Sequence, residues 1–349
     1  MIRSLAERMA DVRRLQAAAR AALADRASLV PAIVESTGLS PEGVELALRR
    51  HVELEATDAE LAQLVARAGD AARVSVVLSA NVFVGALRAF ALARAASTNV
   101  VVRPSRRDPA FAQALVQAAG LAGDRGLRLD DALDVAAVDD GEIHVYGRDD
   151  TIADVRSRAR VRVRGHGSGM GVAWVSEGAD LAAAARGLAE DIVVFDQRGC
   201  LSPRIAFVHG DEARASAFGD ALHAELERQA AIVPRGALPA DERAAAGRYV
   251  ATMTYACRAL VGSQHAIGIA PPGAPLVLPP PYRHLHVAAC ASLAAGAALL
   301  APLAKGVVTV GSDDPAAART LAPPWARLAA LGAMQRPPLD GPVDLRDDA

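Results

Sequence analysis

At 349 residues the chain has room for two domains, each with a real hydrophobic core. It is 52% hydrophobic but only 3% aromatic, with a formal net charge of -2, so small aliphatic side chains must build the core and charge offers no case for nucleic acid or an anionic membrane as partner. Three cysteines without CxxC spacing argue against a disulfide framework and against a cysteine zinc site.

The N-terminal text MIRSLAERMADVRR carries charges every few residues and no apolar run, unlike a signal peptide, so a cytoplasmic protein is expected. Residues 1–70 read as helices, an amphipathic run to Leu29 with a break at Pro31. Ser40 then serves as an N-cap, with Pro41 as the first helical residue and Glu42 and Glu45 in the opening turns. From Arg73 the pattern changes. VSVVLS suits a buried parallel strand, followed by a loop with Asn81 and a helix over 85–96. The strand NVVVRPS is ended by Pro104, and a helix runs from Asp108 and Pro109 to Ala119. LDVAAVDD and EIHVYG are further strand candidates, and the alternation predicts βαβ units: an α/β fold with a parallel sheet.

The strand GMGVAWVS and the helix ADLAAAARGLAEDI lead into DIVVFDQRGCLSPR. Its apolar run, Ile192 to Phe195, suits a buried strand or the end of a buried helix, and Pro203 is expected to end regular structure. Cys200 directly follows Gly199, and Arg198 and Arg204 bracket it with positive charge that favours a thiolate. From these residues alone, a buried structural cysteine and a reactive thiol both fit. RIAFVHG is a strand, and helices are expected over 211–230 and 241–261. The segment APPGAPLVLPPPYRHLH must be loop or edge strand. His286 to Val310 reads as a buried helix and a strand, not a membrane span, with a further helix after it and an extended tail, MQRPPLDGPVDLRDD. His265, His284 and His286 raise the question of a metal, but no acidic or cysteine partner sits at ligand spacing, and no metal is expected. GHGSGMG lacks the Lys-Ser/Thr of a P-loop, while Cys257 and Cys290 lie in Ala-rich, helical-looking text and read as core.

Taken in order, VVLSANVFVGALRAF, TNVVVRPSRRDP, EIHVYGRDD, the stretch from VRGHGSGMG to GCLSPR, and GAMQRPPLDGPVDLR resemble the aldehyde dehydrogenase superfamily. Within it the chain is most similar to acyl-CoA reductases of the kind that supply aldehyde for bacterial luminescence. The resemblance places Cys200 as the nucleophile, with its backbone N–H and the Asn81 amide stabilising the oxyanion. Asn81 also fits a plain turn residue. Arg103 falls where many members hold the adenosine ribose with a lysine, Ser105 follows it, and Gly147 matches a glycine near the cofactor pyrophosphate. Arg106 stands where NAD-preferring members often carry glutamate, which favours NADPH over NADH, though Arg106 and Arg107 also fit a solvated pair. His166 falls on or beside the position of the water-activating glutamate. Its presence there points to thioester reduction and a proton-donor role; the alternative is a histidine that orders a glycine-rich loop.

The implied architecture is a helical segment (1–70), an NAD(P)-binding domain (71–192), a catalytic domain (193–320) and an extended tail (321–349) that serves as an oligomerisation arm. The implied reaction is NAD(P)H-dependent reduction of an acyl thioester, on CoA or acyl carrier protein, to an aldehyde, in a homo-oligomer. An acyl-phosphate reductase of the same fold and a non-catalytic subunit remain open.

Overall fold

The computed structural model describes residues 3–79 and 82–346. Four helices come first: α1 (Leu5–Ala24), α2 (Arg26–Thr37), α3 (Pro41–Arg50) and α4 (Asp58–Ala68). Side chains of Ser4 and Thr57 cap α1 and α4 reciprocally with Glu7 and Glu60, and Ser40 caps α3 as expected. Pro31 does not break the chain. It lies inside α2, which packs on α3 and continues to bury Ile33, and the break falls at Asp25.

Then come β1 (Val74–Val77), α5 (Gly85–Ala96), β2 (Val100–Arg103), α6 (Ala110–Leu121), β3 (Leu127–Leu129), β4 (Glu142–Tyr146), α7 (Asp149–Arg158) and β5 (Arg162–His166). The strand expected at LDVAAVDD is instead a single 3₁₀ turn, Val135–Ala137, opened by the Asp134 side chain accepting from the Ala136 N–H. The five strands form a parallel sheet in the order β3-β2-β1-β4-β5. The order reverses between β1 and β4, and their carboxyl ends make the crevice where such sheets take ligands.

The second run holds β6 (Met170–Val175), α8 (Leu181–Val193), β7 (Pro203–His209), α9 (Glu212–Ile232), α10 (Ala240–Ala256), β8 (Arg258–Val261), β9 (Ala266–Ala270), β10 (His284–Cys290), α11 (Leu293–Leu300), β11 (Val307–Ser312) and β12 (Arg327–Ala330). They build a seven-stranded sheet, β12-β11-β6-β7-β10-β9-β8, parallel except for β8. Pro203 begins a strand here, a position where its missing N–H is tolerated. The segment read as a helix from His286 opens instead as β10, a central strand buried along its length. The expected helix to residue 261 stops at Ala256, and Cys257 caps it.

The chain divides into two compact units, one running to Ser168 and including a later segment from Pro338, the other Gly169–Pro337. The boundary therefore does not fall at 192–193. β6 and α8 join the second unit because β6 pairs with β7 and β11. Within the expected tail, β12 pairs with β11, and residues from Pro338 onward pack into the first unit. Buried Arg88 in α5 holds them: its Nη1 donates to the Gly341 carbonyl (2.6 Å) and its Nη2 to the Pro338 carbonyl (2.9 Å), while Nε donates to Glu53. This segment is engaged by its own unit rather than left as an open arm. No helix among the described residues is long and apolar enough to cross a membrane.

Two predictions follow from this packing. Arg88→Met should strand the Glu53 carboxylate and release residues 338–346, costing about 3–5 kcal/mol by urea unfolding and opening the segment to limited proteolysis. In the second sheet, neither ring nitrogen of buried His284 or His286 has a partner among the described residues, and burial pushes each down from 6.5 to about 4. The unfolded state takes up these protons below pH 6.5 while the folded state does not until near pH 4, so stability is lost as the pH falls through that window. His286→Leu should flatten the pH dependence of the unfolding free energy, read from urea titrations between those limits, by one proton's worth, about 1.4 kcal/mol per pH unit.

Candidate active site

Cys200 lies in the turn between α8 and β7, half-buried, at the amino-terminal edge of the second sheet. Two glycines make room for it. A side chain on Gly169 would sit 3.3 Å from the Cys200 Cβ and 2.2 Å from Val308, and one on Gly171 would sit 2.5 Å from the Leu201 carbonyl oxygen. The glycines of GHGSGMG at these places serve close backbone approach.

α8 does not run into the cysteine as a regular element. Phe195, Asp196 and Gln197 take φ of 54°, 49° and 61°, three consecutive left-handed residues without a glycine. Such a conformation costs about 1–2 kcal/mol per residue and persists only where surrounding structure imposes it. Here it is imposed by a second left-handed pair, Tyr282 and Arg283, both at φ 72°. Tyr282 N–H donates to the Asp196 carbonyl (3.1 Å), and Arg283 Nη2 and Nε lie 2.7 and 3.0 Å from Asp196 Oδ1. Asp196 Oδ2 accepts from the Gly236 N–H at 2.9 Å. Gln197 closes the turn: its Nε2 donates to the carbonyls of Pro203 (2.6 Å) and His284 (2.7 Å), and its Oε1 accepts from the His284 N–H (2.9 Å). Beyond the cysteine, Gln335 Nε2 donates to Ser202 Oγ (3.0 Å) and the Asp191 carbonyl (3.3 Å). The Asp191 carboxyl accepts from Gly332 and Met334 N–H groups, and burial pushes it up to about 7.

None of Asp196, Gln197, Arg283 or Gln335 was singled out from the sequence. The only sequence signal was a polar DQ pair embedded in an apolar run. Cys257 and Cys290 differ from Cys200 in placement: the first is half-buried at a helix cap and the second is buried at the end of β10, and burial raises both thiols. Among the described residues no group of three or more His, Cys, Asp or Glu is arranged to hold a metal ion.

In the first unit, Arg103 ends β2 half-buried, with Nη1 donating to the Leu133 carbonyl at 3.1 Å. Burial lowers its pKa, and the charges of Arg158 and Arg106 lower it further. Ser105 is buried, and its Oγ accepts from the Arg107 N–H (3.3 Å), which leaves its own hydrogen to donate. Arg106 is exposed. Gly147 follows β4 and donates to the His166 carbonyl (3.1 Å), but a side chain there would meet Thr151 only at ordinary contact distance, 3.5 Å. The crevice at the ends of β1, β2 and β4 thus carries a desolvated cation with further cations nearby, a hydroxyl donor and a glycine backbone. The chemistry of these donors fits a nicotinamide dinucleotide. Asn81 lies outside the described residues.

His166 ends β5, stacked on Tyr146 with centroids 4.5 Å apart and edge-on to buried His144 at 6.3 Å. Burial pushes it from 6.5 to about 3, so it is neutral at neutral pH. His144 Nε2 lies 2.8 Å from Glu142 Oε1, and Arg164 donates to the other carboxylate oxygen at 3.0 Å. The loop after His166 is pinned by Asp149, which accepts from the Ser168 N–H (2.9 Å), and by Arg346, which donates to the Ser168 carbonyl (2.8 Å).

The chain matches an aldehyde dehydrogenase-type protein of Burkholderia cenocepacia with a TM-score of 0.68, at 17% identity over 90% of this chain and 75% of that one. An NAD-dependent benzaldehyde dehydrogenase from Corynebacterium glutamicum matches with a TM-score of 0.64, at 15% identity over 89% of this chain and 76% of that one. At these identities the likeness shows the fold, that of the aldehyde dehydrogenases. A long-chain acyl-protein thioester reductase of Aliivibrio fischeri is 39% identical over 66 residues, 19% of this chain and 13% of that protein's length. The model of the acyl-CoA reductase (LuxC) family matches residues 44–270, a span that takes in β1 to β9 and the Cys200 turn. The chain belongs to the acyl-CoA reductase (LuxC) family.

Proposed function

We propose that the chain reduces an acyl thioester, on CoA or on a carrier protein, to an aldehyde through a thioester on Cys200. The observation that carries this reading is the half-buried Cys200 on a braced turn, within the stretch that matches the acyl-CoA reductase family. The Cys200 thiolate attacks the acyl carbonyl carbon. A carbon–sulfur bond forms, the bond to the carrier thiol breaks, and the departing thiolate takes a proton. A bound nicotinamide cofactor supplies the hydride that reduces this thioester. The acyl carbon then separates from Cys200 as aldehyde, and the thiolate is regenerated. The Cys200 backbone N–H and the Asn81 amide are assigned to the oxyanion.

His166, at about 3, is not a charged acid at neutral pH. It offers a neutral N–H or a lone pair, a more limited role than a proton-donating imidazolium. It also does not supply the carboxylate base that would activate water against the thioester, in keeping with reduction rather than hydrolysis. Arg103, Ser105, Arg106 and Gly147 are assigned to the cofactor, with Arg106 selecting NADPH over NADH. A cytoplasmic homo-oligomer completes the reading, and light scattering of the full chain checks the assembly.

Cys200→Ser should lower reductase turnover by ~10²-fold or more and abolish the acyl adduct that intact-mass spectrometry detects on the wild type after exposure to a panel of acyl-CoAs. Retained turnover in this variant rules out the covalent route. Arg106→Glu should weaken NADPH binding at least about tenfold, through loss of a charge-assisted bond, while NADH binding holds or improves. Titration of both cofactors decides this. Parallel weakening of the two would assign Arg106 to the loop instead of the phosphate.

A further inference from the structure

We propose that Asp196, Arg283 and Gln197 are positioning residues, a buried latch between two left-handed turns that fixes the Cys200 thiol for attack. The proposal rests on Cys200 as the acyl acceptor. Every side chain of the latch is buried. Gln197 ties the start of the cysteine turn to its end: its amide bonds the Pro203 carbonyl, so residues 197–203 form a closed loop with Cys200 at the middle. The same amide accepts from the His284 N–H and donates to the His284 carbonyl, which anchors the loop to β10. Asp196 anchors the other side of the turn to Arg283, and Arg283 Nη1 donates onward to the Val233 carbonyl at the end of α9 (2.8 Å). Asp196 Oδ2 takes the Gly236 N–H, so one carboxylate joins two separate segments, at Gly236 and at Arg283, to the turn.

A glycine at any of the three positions would adopt these φ values without opposition. The chain instead places Phe, Asp and Gln there and imposes the conformation through side-chain bonds spanning up to 87 residues. That arrangement removes freedom from the turn, which glycines would add. Thiolate attack needs the sulfur held close to the carbonyl carbon at a fixed approach, and a displacement of about 1 Å costs on the order of 10²-fold in rate.

Asp196→Asn is the first test. It keeps the side-chain shape and a residue that tolerates a left-handed conformation, while removing the charge that holds Arg283. The measurement is single-turnover acylation of the full chain by acyl-CoA, followed by intact mass, with the adduct mapped to Cys200. Loss of folded protein lowers the amplitude of the acylation phase; loss of position lowers its rate constant. The expected result is a rate constant lower by about 10- to 100-fold, with the KM for acyl-CoA and the cofactor affinity within about twofold of wild type. Arg283→Lys, which keeps the charge but loses the fork, should show a smaller fall of the same kind and serves if Asp196→Asn does not fold. A wild-type rate constant in either folded variant overturns the latch while leaving Cys200 as acceptor. Absence of any adduct at Cys200 in the wild type overturns the thioester reading, and the latch with it.

Discussion

A buried carboxylate–guanidinium pair, Asp196 with Arg283, joins two turns whose backbones are each held in a conformation that their residues resist. Such a pair loses the hydration of both charges, and apolar residues of similar volume often stabilise a core better. What it offers instead is direction. A guanidinium fork accepts one orientation of a carboxylate, and the remaining oxygen of Asp196 is aimed at a single backbone N–H, that of Gly236. On the far side of the cysteine, Gln335 joins Ser202 to α8 through the Asp191 carbonyl, and the Asp191 carboxyl receives the backbone of Gly332 and Met334. The half-buried thiol thus sits on a short segment clamped at both ends.

Much of the scaffold was legible in the sequence because the parallel strands are apolar runs with turn residues at their ends. VSVVLS, NVVVRPS, EIHVYG, RIAFVHG and KGVVTVG all became strands. The failures have particular causes. LDVAAVDD has a strand-like composition, but Asp134 closes a 3₁₀ turn through its own side chain, a local bond that composition does not reveal. Pro31 gave a break signal that tertiary packing of α2 overrode. β10 follows a run of prolines, which made its HLH end look like loop or edge strand, while the Ala-rich text after it looked like a buried helix. It is central because β7 and β9 pair with it on either side.

The site was legible to a different depth. Cys200 and the residues proposed to hold the cofactor were marked by the family resemblance, and the family match spans them. The bracing did not stand out, because Asp196 and Gln197 meet Arg283 and His284 only after 87 residues of intervening chain have folded. Nothing in local propensity announces three left-handed residues at Phe195, Asp196 and Gln197. His166 shows a related limit. Its place beside a glycine-rich loop was visible, but its proton affinity is set by burial and then by His144 on a neighbouring strand.

The bonds from Arg88 to the carbonyls of Pro338 and Gly341 reach 250 and 253 residues along the chain. The first compact unit is therefore discontinuous in sequence, with the whole second unit made between its parts. During synthesis the second unit can collapse around its own sheet while α5 still lacks the carbonyls that satisfy its buried arginine. The unit made first is thus the one finished last, and a ribosome stalled before residue 338 would carry a finished cysteine turn while the first unit is still waiting for its closing strap.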